Sequence, residues 1–283
     1  MKTISVTERQ TYKRCRRQWA LHKEGLKPIA PKIELELGTL VHKALADWLV
    51  NPDLNPEVIF DTLSIESIQV IQDNYRSRVG YDMLDAELDP LIEMMLLGKA
   101  MMRNYAAHHK TPLPQGYTMM SVEQQVLIPI NRLTKLEATF DALLTHNDRI
   151  FILEHKTYSS RPNIQSLQMN DQFTAYLWAL QKLNIGKVGG VLYDGLWKRD
   201  DPPRGKMSSD LFMRMTITRP QAALNEFSRT ILMEAKEMTS RITGIYPNRR
   251  WEGCYDCHFE ELCTAMTNGE DVNYIRRNKY VQS

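Results

Sequence analysis

The stretch from Leu136 to Lys156, LEATFDALLTHNDRIFILEHK, constrains this chain more than any other. Leu136 to Leu144 and Arg149 to His155 are rich in strand formers, and Thr145-His146-Asn147-Asp148 between them has the turn chemistry of a hairpin. Asp141, Glu154 and Lys156 interrupt or border these apolar runs. A charge in such a run is costly unless something binds it. Glu154 and Lys156 are two apart, so a strand turns them to one face. If the hairpin register lets Asp141 face them, two carboxylates and an ammonium converge. Two carboxylates suit Mg²⁺, which keeps waters and phosphate oxygens as its other ligands. The lysine then orients a water or neutralises a phosphoryl oxygen. Taken alone, the pattern also describes an edge strand with ordinary surface charges.

The 283 residues suffice for one large domain with a substantial core, and 43% hydrophobic with 25% charged residues is ordinary globular composition. The net charge of +2 gives no argument for nucleic-acid binding, which must rest on local basic clusters. No apolar run is long enough to span a membrane, and the start, MKTISVTERQ, has no apolar signal core. A cytoplasmic location with no membrane partner is therefore expected. There the four cysteines stay reduced and serve as core residues, ligands or nucleophiles.

Ser5 to Lys23 reads as a helix capped by Thr7, with Lys13, Arg14, Arg16 and Arg17 around Cys15. After a Pro-containing loop, Lys27 to Lys32, a helix from Gly38 to Val50 buries Leu40, Val41, Ala44, Leu45 and Trp48, with His42 at the stripe's edge. Residues 51–111 carry helical spacing over about Pro56 to Tyr75 and Leu91 to Ala107, with methionines that suit core filling and no evident chemistry. Met119 to Ile130 is a strand, followed by the hairpin. Ile164 to Leu183 is expected as one helix with core face Met169, Phe173, Leu177 and Leu180, and with Gln165, Gln168, Gln172 and Tyr176 on an adjoining face. Val188 to Trp197 is a strand that the crossover rule pairs in parallel with the hairpin. Leu211 to Thr218 is one more strand of unclear pairing, and Pro220 opens a helix to about Ile242.

The order helix, three strands, helix, strand, with Asp141 in the second strand and Glu-x-Lys in the third, resembles the PD-(D/E)XK nuclease superfamily, and within it the RecB-type nucleases. "GTLVHKAL" is similar to that group's Gly-x-x-x-His helix, "FDALL" and "LEHK" to its acidic motifs, and "QFTAY" to its Gln-x-x-x-Tyr motif. The group's Gly shortly before the Asp is absent, with Glu137-Ala138-Thr139 in its place. The resemblance implies an α/β fold: a mixed central β-sheet with an αβββαβ restriction-endonuclease-like core, flanking helices and a helical insertion. It implies a single nuclease domain over residues 1–283, with the insertion at about 51–111. It implies an Mg²⁺- or Mn²⁺-dependent deoxyribonuclease, with an exonuclease expected. His42, Asp141, Glu154 and the backbone carbonyl of His155 would hold the cation, and Lys156 would act on the water. Gln172 and Tyr176 would contact DNA or steady Lys156. Glu123 is a further acidic candidate, with a surface role as the plainer reading.

Cys254, Cys257 and Cys263, with Cys15 far upstream, resemble the iron–sulfur members of the RecB-type group, AddB and the CRISPR adaptation nucleases. There such cysteines hold a [4Fe-4S] cluster that staples the chain's ends together. Four cysteines also suit a Zn²⁺ site; His258 is a spare candidate ligand, with a bystander within the loop as the plainer reading. Arg161, Lys198, Arg199, Arg249 and Arg250 are candidate phosphate contacts, with Trp197 and Trp251 for stacking. DNA is the expected partner, single-stranded or at its ends, with a helicase or recombination protein beside it. Repair, recombination, CRISPR adaptation and phage DNA metabolism are the settings implied. The alternative is a catalytically inactive DNA-binding or assembly subunit with a Cys₄ zinc site.

Overall fold

A computed structural model describes residues 1–29, 33–240, 244–249, 254 and 257–282. In chain order the elements begin with β1 (Lys2–Ser5), α1 (Val6–Arg14), α2 (Arg16–Lys23), β2 (Leu26–Pro28) and α3 (Ile33–Val50). Then come α4 (Pro56–Val79), α5 (Asp85–His109), β3 (Thr118–Pro129), β4 (Thr134–His146) and β5 (Arg149–Tyr158). Next are α6 (Ile164–Gln168), α7 (Asp171–Leu183), β6 (Lys187–Trp197), β7 (Phe212–Ile217) and α8 (Gln221–Thr239). The chain closes with α9 (Glu260–Asn268), α10 (Val272–Lys279) and β8 (Tyr280–Gln282). Two compact units divide it: Met1–Pro31 with Leu127–Ala138 and Asn225–Ser283, and Lys32–Val126 with Thr139–Leu224.

The second unit carries the hairpin. Asn147 and Asp148 both adopt left-handed φ, +47° and +56°, which a two-residue hairpin turn of the favoured twist requires. His146 pairs with Arg149 and the antiparallel ladder runs to Ala142 opposite Leu153. β5 pairs in parallel with β6 from Arg149↔Lys187 to Tyr158↔Trp197, the crossover being α6 and α7. β7 lies antiparallel on the far side of β6, which settles its pairing. Ile150 to His155 are buried without a break, as in a strand covered on both faces. The mixed sheet with flanking helices is the fold class the sequence implied.

The helix at 164–183 is two helices. Asn170 turns its side chain onto the N–H groups of Gln172 and Phe173 and so starts a new helix, α7. Arg219 fastens that break, donating to the carbonyl of Asn170 and the hydroxyl of Thr174. Met169, expected in the core, falls at the break and is 78% exposed. α3 starts earlier than expected and buries Leu37, Leu40, Val41, Ala44, Leu45 and Trp48 with Phe60 of α4 and Met94, Met101, Met102 and Tyr105 of α5. The methionines there do fill core. Asn55 caps α4, and Gly80, at φ +85°, ends it with a left-handed residue that only glycine adopts without strain.

In the first unit, β1 pairs in parallel with Thr134–Glu137, the opening residues of β4. The helix expected over 5–23 breaks at Cys15, whose backbone is extended, and Ser5 rather than Thr7 supplies the cap. Ile4, Tyr12, Trp19, Ala235 and Met238 form one core cluster. Beside α8, fully buried Arg9 is held by Glu234 and lies over the Phe227 ring. β2 pairs antiparallel with β8, over a second cluster of Leu21, Leu26, Phe259, Leu262 and Tyr280. The expected end of α8 at Ile242 lies outside the described residues. Among the described residues, no helix is long and apolar enough to cross a membrane.

Candidate active site

The β4–β5 ladder stops one residue short of pairing Asp141 with Glu154. Instead of a main-chain partner, the His155 N–H finds Asp141 Oδ2, at 2.7 Å. The strands thus part where the charged residues begin, and a carboxylate takes over one ladder bond. Asp141 Oδ1 lies 3.2 Å from Nδ1 of His42, on α3. Lys156 Nζ lies 2.6 Å from Glu154 Oε1, as the two-residue spacing requires. Gln172, in the first turn of α7, donates through Nε2 to Glu154 Oε1 at 3.1 Å and to Tyr176 Oη at 2.7 Å. The sequence placed Gln172 and Tyr176 near Lys156 or DNA; here Gln172 grips Glu154 and Tyr176 grips Gln172. His42, Asp141, Glu154, His155, Lys156, Gln172 and Tyr176 thus form one connected set.

Glu154 is buried, and its Oε2 has no hydrogen-bond partner among the described residues. A buried carboxylate oxygen without a donor is expensive. Burial, and then the charge of Asp141, push the Glu154 carboxyl up to about 7 against the pull of Lys156. Burial opposes the charge on Asp141 too, but the His42 contact and the His155 N–H bring it below its ordinary value. Burial would lower His42, yet the Asp141 hydrogen bond and charge carry it above the usual imidazole range. Burial likewise works against Lys156, and Glu154 more than restores it. Burial and the Glu154 charge keep Tyr176 a neutral phenol.

Glu123 lines a small cleft with His42, Asp141 and His155. It is exposed and its φ is +48°, an uncommon conformation for a residue with a side chain. Three of the proposed phosphate contacts are already engaged. Arg161 pairs with Asp210 at 3.7 Å, Lys198 reaches the Glu34 carbonyl, and Arg199 lies over the Trp197 ring. Arg250 and Trp251 lie outside the described residues.

The model of the PD-(D/E)XK nuclease superfamily matches residues 3–264. The chain belongs to that superfamily. No curated protein matches it. A solved structure, described as the crystal structure of SSO0001, aligns with 93% of this chain and 86% of that one, at 16% identity and a TM-score of 0.40. Membership of the PD-(D/E)XK superfamily implies a nuclease, hence a DNA-binding protein, and such nucleases generally use Mg²⁺ or Mn²⁺. Among the described residues, no group of three or more His, Cys, Asp and Glu side chains is arranged to hold a metal ion as it stands. The carboxylates of Asp141 and the unpaired Glu154 Oε2 nonetheless fit a hard cation that takes its remaining ligands from water and phosphate.

Sequence reasoning passed over Asp194, Arg214 and Tyr105. Asp194 is fully buried in β6 and receives Arg214 Nη2 at 2.6 Å and the Tyr105 hydroxyl. Burial would raise its carboxyl, but His155 and Arg214 hold it far below the carboxylate range. The signal was present: Asp194 interrupts the apolar run VLYDGLW, as Asp141 and Glu154 interrupt theirs.

In the first unit, Cys15, Cys254, Cys257 and Cys263 all line one cavity of about 440 Å³, together with Arg14, Arg17 and Asn248. None is in a disulfide. Three of the sulfurs already face a donor: Cys15 Sγ the Asn248 N–H at 3.4 Å, Cys263 Sγ the Arg17 guanidinium at 3.5 Å, and Cys257 the Phe259 backbone. Burial raises the Cys257 thiol, with the Phe259 bond and Arg14 opposing. N–H groups and cations around sulfur favour the thiolate that metals bind. The His258 carbonyl accepts from the Tyr280 hydroxyl.

Proposed function

We propose that this chain is a RecB-type deoxyribonuclease, an exonuclease, that hydrolyses DNA phosphodiester bonds with Mg²⁺ or Mn²⁺. The whole chain acts as one nuclease domain with residues 51–111 as a helical insertion. Asp141 and Glu154 would hold the cation, joined by His42 and the His155 carbonyl. When bound, the cation makes water a nucleophile near neutral pH and draws charge from the phosphoryl oxygen. Lys156, held at Glu154, would donate to that water or to the oxygen on which charge develops. Gln172 fixes the Glu154 carboxylate and Tyr176 fixes Gln172, so the ligand does not have to be ordered during the reaction. The observation that carries the reading is the buried, half-unpaired Glu154 carboxylate between Lys156 and Gln172.

The purified chain is expected to degrade linear DNA with Mg²⁺ or Mn²⁺ and to stop in EDTA, while Lys156→Ala loses at least about a hundredfold in rate. End-labelled single and double strands followed in one time course report it. Equal rates for wild type and Lys156→Ala would remove Lys156 from the chemistry.

The same geometry sets a pH dependence for cation binding. Below about 7 Glu154 carries a proton, and His42 is protonated to a higher pH than usual. Both protons must leave before a cation binds, so affinity falls as pH falls. Mn²⁺ affinity, measured from the free-ion EPR signal without DNA, should drop roughly tenfold or more from pH 8 to pH 6. An affinity flat over that range would contradict these assignments.

The four cysteines are proposed to hold a [4Fe-4S] cluster rather than Zn²⁺. The shared cavity, the donors aimed at three sulfurs and the resemblance in cysteine spacing support it. Anaerobically purified protein should be brown, absorbing near ~400 nm as thiolate-bound iron does. Colourless protein with stoichiometric zinc would favour the Cys₄ zinc alternative.

A further inference from the structure

β5, β6 and β7 place His155, Asp194 and Arg214 side by side, paired in register across three strands. Cross-strand neighbours of this kind share a face of the sheet. Asp194 Oδ2 takes Arg214 Nη2 and the Tyr105 hydroxyl, and His155 Nδ1 stands 3.5 Å from it. Arg214 Nη2 also reaches Tyr105 Oη, at 2.9 Å, so the three groups brace one another. Tyr105 belongs to α5, within the helical section that showed no chemistry in the sequence. His155 is 2% exposed, and neither ring nitrogen has a hydrogen-bond partner among the described residues.

A buried ion pair is a poor way to stabilise a core, because apolar residues of equal volume often do as well or better. What this pair can supply is position. His155 stands between Glu154 and Lys156, and its main-chain N–H holds Asp141 at the point where the strands part. The Asp194 carboxylate, 3.5 Å from Nδ1, is placed to orient the His155 ring by charge rather than by a hydrogen bond, and an oriented ring restrains the peptide that holds Asp141.

We propose that Arg214, Asp194 and Tyr105 are positioning residues for the nuclease site, acting through His155 on Asp141 and Glu154. The proposal rests on the assignment of those two carboxylates as the cation's ligands. Its effect passes through the peptide on which Asp141 hangs, and so precedes any contact with DNA. A cluster that only stabilised the core would change the melting temperature and nothing at the carboxylates.

The test uses the full chain carrying Asp194→Asn, with Arg214→Lys and Tyr105→Phe as milder variants that keep the charge and the ring. Two readouts need no DNA: hydrogen exchange of the His155 amide without metal, and Mn²⁺ affinity from free-ion EPR. Asp194→Asn should speed exchange at His155 and weaken Mn²⁺ binding roughly 10- to 100-fold, the usual range for groups that orient ligands. The KM for DNA at saturating Mn²⁺ should stay at the wild-type value. Tyr105→Phe should shift exchange and affinity the same way, by less, and Arg214→Lys should fall between. If Asp194→Asn does not fold, Tyr105→Phe decides. Wild-type exchange and affinity in the folded variants would overturn the proposal. Mn²⁺ binding unaffected by Glu154→Gln would overturn the underlying ligand assignment instead, so the two failures are distinguishable.

Discussion

Glu154→Gln should abolish DNA hydrolysis and, in metal-free protein at pH 8, raise the melting temperature. The two effects share one cause. Burial and the Asp141 charge lift the Glu154 carboxyl from 4.5 to about 7. A group raised in this way favours folding fully below its unfolded value, and that contribution is lost as pH rises through the folded value. At pH 8 the ionised carboxylate therefore costs the metal-free fold stability. Glutamine keeps the shape and the acceptor for Gln172 and Lys156 without the charge. The melting temperature should rise by several degrees at pH 8 and by much less at pH 5, where Glu154 in the fold is still neutral. Activity should fall at least about a thousandfold, since neutral glutamine is a far weaker cation ligand. Melting curves in EDTA at the two pH values check the first part and DNA time courses the second. A variant less stable than wild type at pH 8 would contradict the account of the site.

Cys257→Ser should remove the proposed cluster and unfold much of the first unit at a lower temperature. Cys15 and Cys254 are separated by nearly the whole chain, so a shared cluster closes a very long loop. By the loop-entropy relation used for disulfides, a link of that length is worth roughly 5 kcal/mol. Cys257 also packs against Leu21, Leu26, Phe259, Leu262 and Tyr280, so its ligand loss and core loss fall in one place. The expected result is colourless protein with weak ~400 nm absorption, a melting temperature lower by ten degrees or more, and faster exchange over β2 and β8. A brown Cys257→Ser protein with wild-type melting would show that Cys257 is not a ligand.

The candidate site residues were legible because the cost of burying charge is local: Asp141, Glu154 and Lys156 stand in or beside runs of strand formers. His42 was legible from its place at the edge of α3's apolar stripe. The hairpin turn followed from Asn147-Asp148. What escaped notice depends on pairing across strands. Asp194 carries the same signal as Asp141, but its significance comes only when β5, β6 and β7 align it with His155 and Arg214. Tyr105 gave no sign of its role, since helical spacing says which residues are buried and not what polar atom each hydroxyl finds. The division of the 164–183 helix was hidden because Asn170 caps a helix only once the chain breaks before it. That break nonetheless sets Gln172 in a first turn, from which it reaches Glu154.

The most direct test is the position of Mn²⁺ by anomalous scattering in crystals soaked at pH 8. A single strong peak is expected between the carboxylates of Asp141 and Glu154, beside His42, and should vanish in Glu154→Gln crystals. A peak elsewhere, or one unchanged by Glu154→Gln, would contradict the claim that these two strands part to hold a catalytic cation.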